Sequence, residues 1–176
     1  PVDGTAQADD TNCADGAGVQ NVANGTETAV WSGLTSSTQY FFKIFPYTNS
    51  GSSVDYKTSG TPGMANATTL KNEPTNHPTS FTATTNSTSQ ITTSWTDSTG
   101  GTIPDNYLIL CSTSNSFTDP TDGSPQVDDT NCADGSGVQN VAQGTETAVW
   151  SGLTSSTQYF FKIFAYSNSG SNVEYK

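Results

Sequence analysis

The octapeptide DDTNCADG stands at Asp9–Gly16 and again at Asp128–Gly135, and it holds most of what this sequence offers chemically. Around the second copy, Asp122, Asp128, Asp129, Asn131 and Asp134 supply clustered hard oxygen atoms, the ligand type that calcium prefers. The spacing is not that of an EF-hand loop: counted from Asp129, the fifth position is Ala133 rather than an oxygen donor. The competing reading is a solvated loop in which Asp and Asn side chains cap their own backbone. Calcium is therefore the one candidate metal, and no other cofactor is expected.

The residues for catalysis are thin. The single histidine, His77, lies in a proline-flanked stretch, so general acid/base work by His and any Ser/His or Cys/His nucleophile pair are not expected. Acids are numerous enough for a glycosidase-type pair, but small β units offer no deep cleft, and the expectation is a protein that is not an enzyme. Sequons for N-linked sugar occur at Asn24 (NGT), Asn66 (NAT) and Asn86 (NST). The first of these is replaced by Gln143 at the corresponding place of the second copy, so sugar at Asn24 is not required by every copy.

The recurring octapeptide is part of a longer repeat. At an offset of 119, residues 1–57 and 120–176 are identical at 47 of 57 positions. A period of that size is one ordinary domain. The repeat also accounts for three cysteines: Cys13 and Cys132 are one site in two copies, and the counterpart of Cys111 would precede residue 1. Each full unit thus owns two cysteines. A Cys111–Cys132 bond would close a loop of about 20 residues, worth roughly 3 kcal/mol in the chain-entropy model, and Cys13 would take a partner outside this sequence. Two reduced, buried thiols are the alternative.

Five lysines and no arginine stand against sixteen acidic residues, for a net charge of −11. Such a surface repels phosphate backbones and anionic headgroups, so neither nucleic acid nor insertion of this segment into a membrane is expected. The acidic surface and the paired cysteines together point to an oxidising, extracellular setting, secreted or on a cell surface.

The elements that must position these residues are short strands. Only 31% of the chain is hydrophobic, but eighteen aromatic residues sit mostly in alternating runs. Ser80–Thr85, Gln90–Asp97, Asn106–Ser114, Glu146–Leu153 and Gln158–Gly170 read as strands, with Asn115 to about Thr145 as one long polar loop. No helical spacing appears. LTSSTQY sets Leu153 six residues before Tyr159, and Leu34 and Tyr40 repeat the spacing; this is the form of a tyrosine corner.

With the tryptophan of TTSWTD, the opening PTSFTATT and the closing TPGMANATTL, the chain resembles a fibronectin type III domain. The resemblance implies an all-β fold of tandem Ig-like antiparallel sandwiches with a core of Trp95, Leu108, Leu110, Trp150, Leu153, Tyr159, Phe161 and Ile163. Residues 1–70 would be the C-terminal part of one repeat, 71–79 a linker, and 80–176 a second repeat lacking its closing strand. The long acidic loop and the cysteines depart from the usual module. The function this implies is structural: part of an extracellular stalk, adhesin or filament on a microbial surface, whose partners are neighbouring copies and surface glycans. The alternative is an accessory carbohydrate-binding or spacer module of a secreted polysaccharide-degrading enzyme. The pieces missing from each copy would come from the continuing chain, the simpler source, or by strand donation between subunits.

Overall fold

In QITTSWT, apolar side chains recur at alternate positions, QYFFKI carries Tyr40 and Phe42 on one side of its alternation and Phe41 on the other, and NYLILCS is apolar on both sides. As strands, the first two bury one face and the third buries both. The computed structural model describes residues 1–176 and divides them into two units, Pro1–Leu70 and Lys71–Lys176.

The first unit holds two small ribbons. Strand β1 (Gln39–Ile44) pairs antiparallel with β4 (Gly63–Thr68) over six residues, from Gln39 opposite Thr68 to Ile44 opposite Gly63. Between them, β2 (Tyr47–Thr48) pairs with β3 (Asp55–Tyr56). Tyr40, Val54 and Tyr56 are buried, while Phe41, Ile44 and Met64 are each 70% or more exposed. A two-stranded ribbon has no second layer to bury its apolar face.

The second unit is a sandwich. One sheet has the order β5–β6–β9, with β5 at Thr79–Ser87, β6 at Gln90–Thr96 and, after β7 (Asn106–Ser112) and β8 (Ser136–Ala142), β9 at Thr147–Ser151. The other has the order β11–β10–β7–β8, with β10 at Phe160–Ser167 and β11 at Glu174–Tyr175. Trp95, Ala148 and Trp150 from the first sheet meet Tyr107, Ile109, Cys111 and Ala165 from the second, with Phe81, Ile91, Phe161 and Ile163 packed around them. Trp95 lies edge-on to Tyr107 and Trp150 is tilted against Phe161. Burying side chains of this size contributes roughly 3 kcal/mol each, the dominant favourable term. The only helical pieces in either unit are three-residue 3-10 turns.

Three features differ from the sequence reading. Strand β8 lies inside the stretch read as one polar loop; SGVQNVA has only Val138, Val141 and Ala142 as apolar side chains, and its strand form comes from full-length pairing with β7, Asn106 opposite Ala142 through Ser112 opposite Ser136. Leu108 and Leu110 do not join the tryptophan core. Their parity on β7 is opposite to that of Tyr107, Ile109 and Cys111, so they face outward, where Phe164, Tyr166, Val173, Tyr175 and Val138 form a second cluster with them.

The third is the stretch read as a linker, residues 71–79, which is held to the second unit. Lys71 and Asn168 exchange two hydrogen bonds, the Ser167 hydroxyl donates to the Asn72 carbonyl, and Pro74 is fully buried. Lys71 also pairs with Asp105, and Lys176 with Glu73. A polar, proline-bearing sequence reads as a spacer, but here its backbone groups find fixed partners.

Candidate functional site

The long loop between β7 and β8 contains the acidic octapeptide, and its carboxylates serve backbone groups. The Asp122 carboxylate accepts from the Tyr175 N–H at 2.8 Å, tying the loop to β11. Asp128 accepts from both the backbone N–H (2.7 Å) and the side-chain amide (2.8 Å) of Asn140 on β8. Asp129 accepts from the Asn131 N–H, and the Asn131 side chain caps the 3-10 turn Cys132–Asp134 by accepting from the Ala133 N–H. Asp134 accepts from the Ser136 N–H at 3.5 Å. The five oxygen-bearing residues singled out as calcium ligands therefore point to five separate backbone targets, and nowhere do three His, Cys, Asp or Glu side chains converge.

Cys111 and Cys132 form a disulfide with Cα atoms 6.0 Å apart, fixing the loop's end to β7 within the core cluster. Cys13 is unbonded and half-buried. Next to the staple, Gly137 is confined: a Cβ there would stand 2.8 Å from the Trp150 ring and 3.0 Å from the Asp129 carbonyl. The loop covers the outer leucines, lining a 210 Å³ hollow over Leu108 and Leu110 with Thr118, Asp119, Pro120 and Thr121.

The same bonds recur in the first unit. Asp9 serves Asn21 as Asp128 serves Asn140, Asp3 serves the Tyr56 N–H as Asp122 serves that of Tyr175, and Asn12 caps Cys13–Asp15. Asp10 bridges to Val19 as Asp129 does to Val138. Both tyrosine corners are present: the Tyr40 hydroxyl accepts from the Thr35 N–H and the Tyr159 hydroxyl from the Thr154 N–H, each at 3.0 Å. Leu153 is buried beside the second corner, whereas its counterpart Leu34 is only half-buried.

Three tyrosines in the second unit are held neutral past their ordinary range. Burial, followed by the charges of Tyr175, Asp128 and Asp105, pushes the Tyr166 phenol up to about 12. Burial also raises Tyr107 and Tyr175. The Tyr166 hydroxyl donates to the Asn140 side chain at 2.9 Å, so it sits in the same network as Asp128.

The sequons are on the surface. Asn24 is in an exposed turn, Asn66 on β4 and Asn86 on β5. The larger hollow of the second unit, 330 Å³, opens beside the tyrosine corner and is lined by Ser, Thr, Gln, Ile91, Leu153 and Tyr159, with no carboxylate, histidine or cysteine among its walls. His77 lies on the segment leading into β5. No helix is long and apolar enough to cross a membrane.

No curated protein matches this chain in sequence. Among solved structures, it is similar to the fn3 domain of human collagen alpha-1(XX) chain at 10% identity and a TM-score of 0.37, over 58% of this chain and 80% of that one. It is similar to the FN1-FN3 domains of chicken CNTN1 at 15% identity and a TM-score of 0.45, over 81% of this chain and 39% of that one. It is also similar to domains d3-d4 of the rat CD45 extracellular region, at 16% identity and a TM-score of 0.35, over 90% and 72%. The family model of the fibronectin type III domain matches residues 76–176, more than half of the chain and nearly all of the sandwich with its tyrosine corner. The family consists mostly of non-catalytic structural and interaction modules, and this chain belongs to the fibronectin type III domain family.

Proposed function

We propose that this chain is a structural segment of an extracellular tandem array of fibronectin type III domains, a stalk, adhesin or filament at a cell surface, microbial in our reading. Its partners are neighbouring copies of the same repeat. One observation carries this reading: the tyrosine corner, the Asp–Tyr and Asp–Asn bonds of the acidic loop and its bridge to the valine recur at corresponding residues of the two copies. An array that acts as a spacer uses every copy in the same way, whereas a binding or catalytic site gains little from close duplication.

In this reading the acidic loop is a structural cover. Its carboxylates hold β8 and β11, its staple anchors it, and its charge keeps a densely repeated surface soluble. Asn66 and Asn86, exposed on strands, carry N-linked sugar if the protein passes through a glycosylating secretory route; intact unmodified peptides from native material would remove that assignment. A carbohydrate-binding accessory module would stack sugars on exposed Trp or Tyr; in the sandwich Trp95 and Trp150 are 4% and 0% exposed, and the exposed Tyr47 belongs to the first unit.

Denaturing electrophoresis of the native material tests the array. A ladder or a very large species is expected; a lone 18.4 kDa band from material that also sediments as a monomer contradicts it.

A further inference from the structure

The two copies differ at ten of 57 aligned positions, and one difference falls within a turn: Asn24 in the first copy stands where the second has Gln143. The turn itself is the same in both. The Ala23 carbonyl accepts from the Thr26 N–H at 3.0 Å and the Ala142 carbonyl from the Thr145 N–H at 3.1 Å, while Gly25 and Gly144 take φ of 91° and 88°. A left-handed φ at the third residue of a turn selects glycine. Asn24 and Gly25 are both exposed, and the turn's hydrogen bond leaves out the peptide between them. No other asparagine of the chain precedes a glycine. The side-chain amides of Asn21, Asn140 and Asn168 are, in addition, held by hydrogen bonds.

We propose that Asn24 is a self-modifying position, converted without an enzyme to a mixture of aspartate and isoaspartate through a succinimide closed by Gly25. Solvent base takes the proton of the Gly25 backbone N–H, and the nitrogen attacks Asn24 Cγ. A bond from that nitrogen to Cγ forms, the Cγ–Nδ2 bond breaks, and the side-chain amide leaves as ammonia. Water is the one co-reactant: it adds to either carbonyl of the five-membered ring and reopens it, and nothing is oxidised or reduced. Glycine is what makes the ring reachable. With no Cβ, it leaves the attacking nitrogen uncovered and lets the peptide rotate into the attacking geometry.

Gln143 closes the same route in the second copy. Its side chain is longer by one methylene, so the same attack would have to close a six-membered ring, a slower reaction. Both the Gln143 side-chain amide and the Gly144 N–H are also donated to the Asp97 carboxylate, at 3.3 and 2.9 Å. At Asn24 the change has three consequences, none of which rests on the array reading. Each event adds one negative charge to a chain that already carries −11. It removes the acceptor amide of the NGT sequon, so conversion and N-linked sugar exclude each other at this residue. The isoaspartate product also routes the backbone through the side-chain carbon, which lengthens the turn by one atom and weakens the bond between Ala23 and Thr26.

The test uses the full chain made in a host that adds no sugar, incubated for several weeks at neutral pH and body temperature. Peptide mapping by mass spectrometry should find residue 24 gaining the mass that separates aspartate from asparagine, with isoaspartate the larger product. Isoelectric focusing should show a more acidic form growing at the same rate. Conversion at residue 24 should run at least about tenfold faster than at any other asparagine, and Gln143 should stay intact. Gly25→Ala should slow it by at least about tenfold. That arm holds even for a less stable variant, because a loosened fold would speed conversion rather than slow it. A Cβ at residue 25 meets nothing within 4 Å, so the slowing would be local. An unchanged Asn24 overturns the proposal. So does conversion no faster than at the other asparagines, conversion that survives Gly25→Ala at full rate, or isoaspartate confined to Asp3, Asp15, Asp122 and Asp134, the four aspartates that precede glycine.

Discussion

Cys111 on β7 and Cys132 at the head of the acidic 3-10 turn are bonded across 21 residues of sequence, and both lie in the core against Trp150. The staple is thus interior to the sandwich. Closing a loop of this length contributes about 3 kcal/mol in the chain-entropy model, and a domain of about 100 residues shifts roughly 4–8 °C per kcal/mol. Cys111→Ala with Cys132→Ala should lower the melting temperature of the second unit by at least about 10 °C in calorimetry. In the unreduced, unfolded protein, one thiol, that of Cys13, should titrate. A count of three would show that the staple does not form.

Gly137 is enclosed by the Trp150 ring, the Asp129 carbonyl and the Cys132 Cβ, all within 3.2 Å of where its own Cβ would stand. Two of these are rigid. Gly137→Ala should destabilise the second unit by about 1–3 kcal/mol, the usual result of overpacking, measured by urea unfolding. Gly144→Ala has open space around it, and any cost there comes from its positive φ of 88° alone. Equal losses at the two sites would show that the space around Gly137 is not limiting.

The strands and their corner were legible in the sequence because their cause is local. Alternation sets β5, β6, β9 and β10, and the Leu153–Tyr159 spacing sets the corner. What was not legible depended on distant partners. The strand β8 has a weak apolar pattern and owes its form to β7. The resemblance implies one core holding Leu108 and Leu110 with the tryptophans, but β7 is buried on both faces, so Leu108 is core in a second cluster with Leu110 packed against it, under a polar loop. The cysteine pairing followed from counting copies, while the role of the acids did not follow from counting at all. Aspartates dense in sequence suggest a metal, and their separate hydrogen bonds to backbone N–H groups appear only in the fold.

The tyrosine corner makes a clean test, since the hydroxyl of Tyr159 accepts one hydrogen bond, from the Thr154 N–H. Tyr159→Phe leaves that donor without its partner. The expected cost is about 1 kcal/mol, read from urea unfolding of the second unit. No loss would mean that water replaces the hydroxyl without cost and that the corner does not pin the crossover.

Alkaline titration tests the Tyr166 environment. Its phenol is pushed from 10.0 to about 12 in the folded protein, so the unfolded chain ionises first as pH rises. The stability it contributes is fully present below pH 10 and is lost between pH 10 and 12. Tyr107 and Tyr175, raised in the same direction, add to that loss. Tyr166→Phe should flatten the decline in melting temperature over this range. A decline as steep as in the unaltered protein would assign it elsewhere.

The carboxylates of Asp122, Asp128 and Asp129 already hold backbone N–H groups, and calcium would have to displace those bonds. Calorimetric titration after chelation should show neither heat nor thermal stabilisation. A stoichiometric transition with a higher melting temperature would give the acidic loop a metal-binding role. Asp128→Ala should release the end of β8 and destabilise the second unit by about 1 kcal/mol or more, since both of its bonds to Asn140 are lost.

The central claim is that the repeat is a building unit of an extended structure, and electron microscopy of the native material tests it most directly. The account predicts fibres or stalks with a regular axial repeat, one period for each 119-residue unit or for a small whole number of them. Discrete, compact particles of single-chain size, with no axial periodicity, would contradict it.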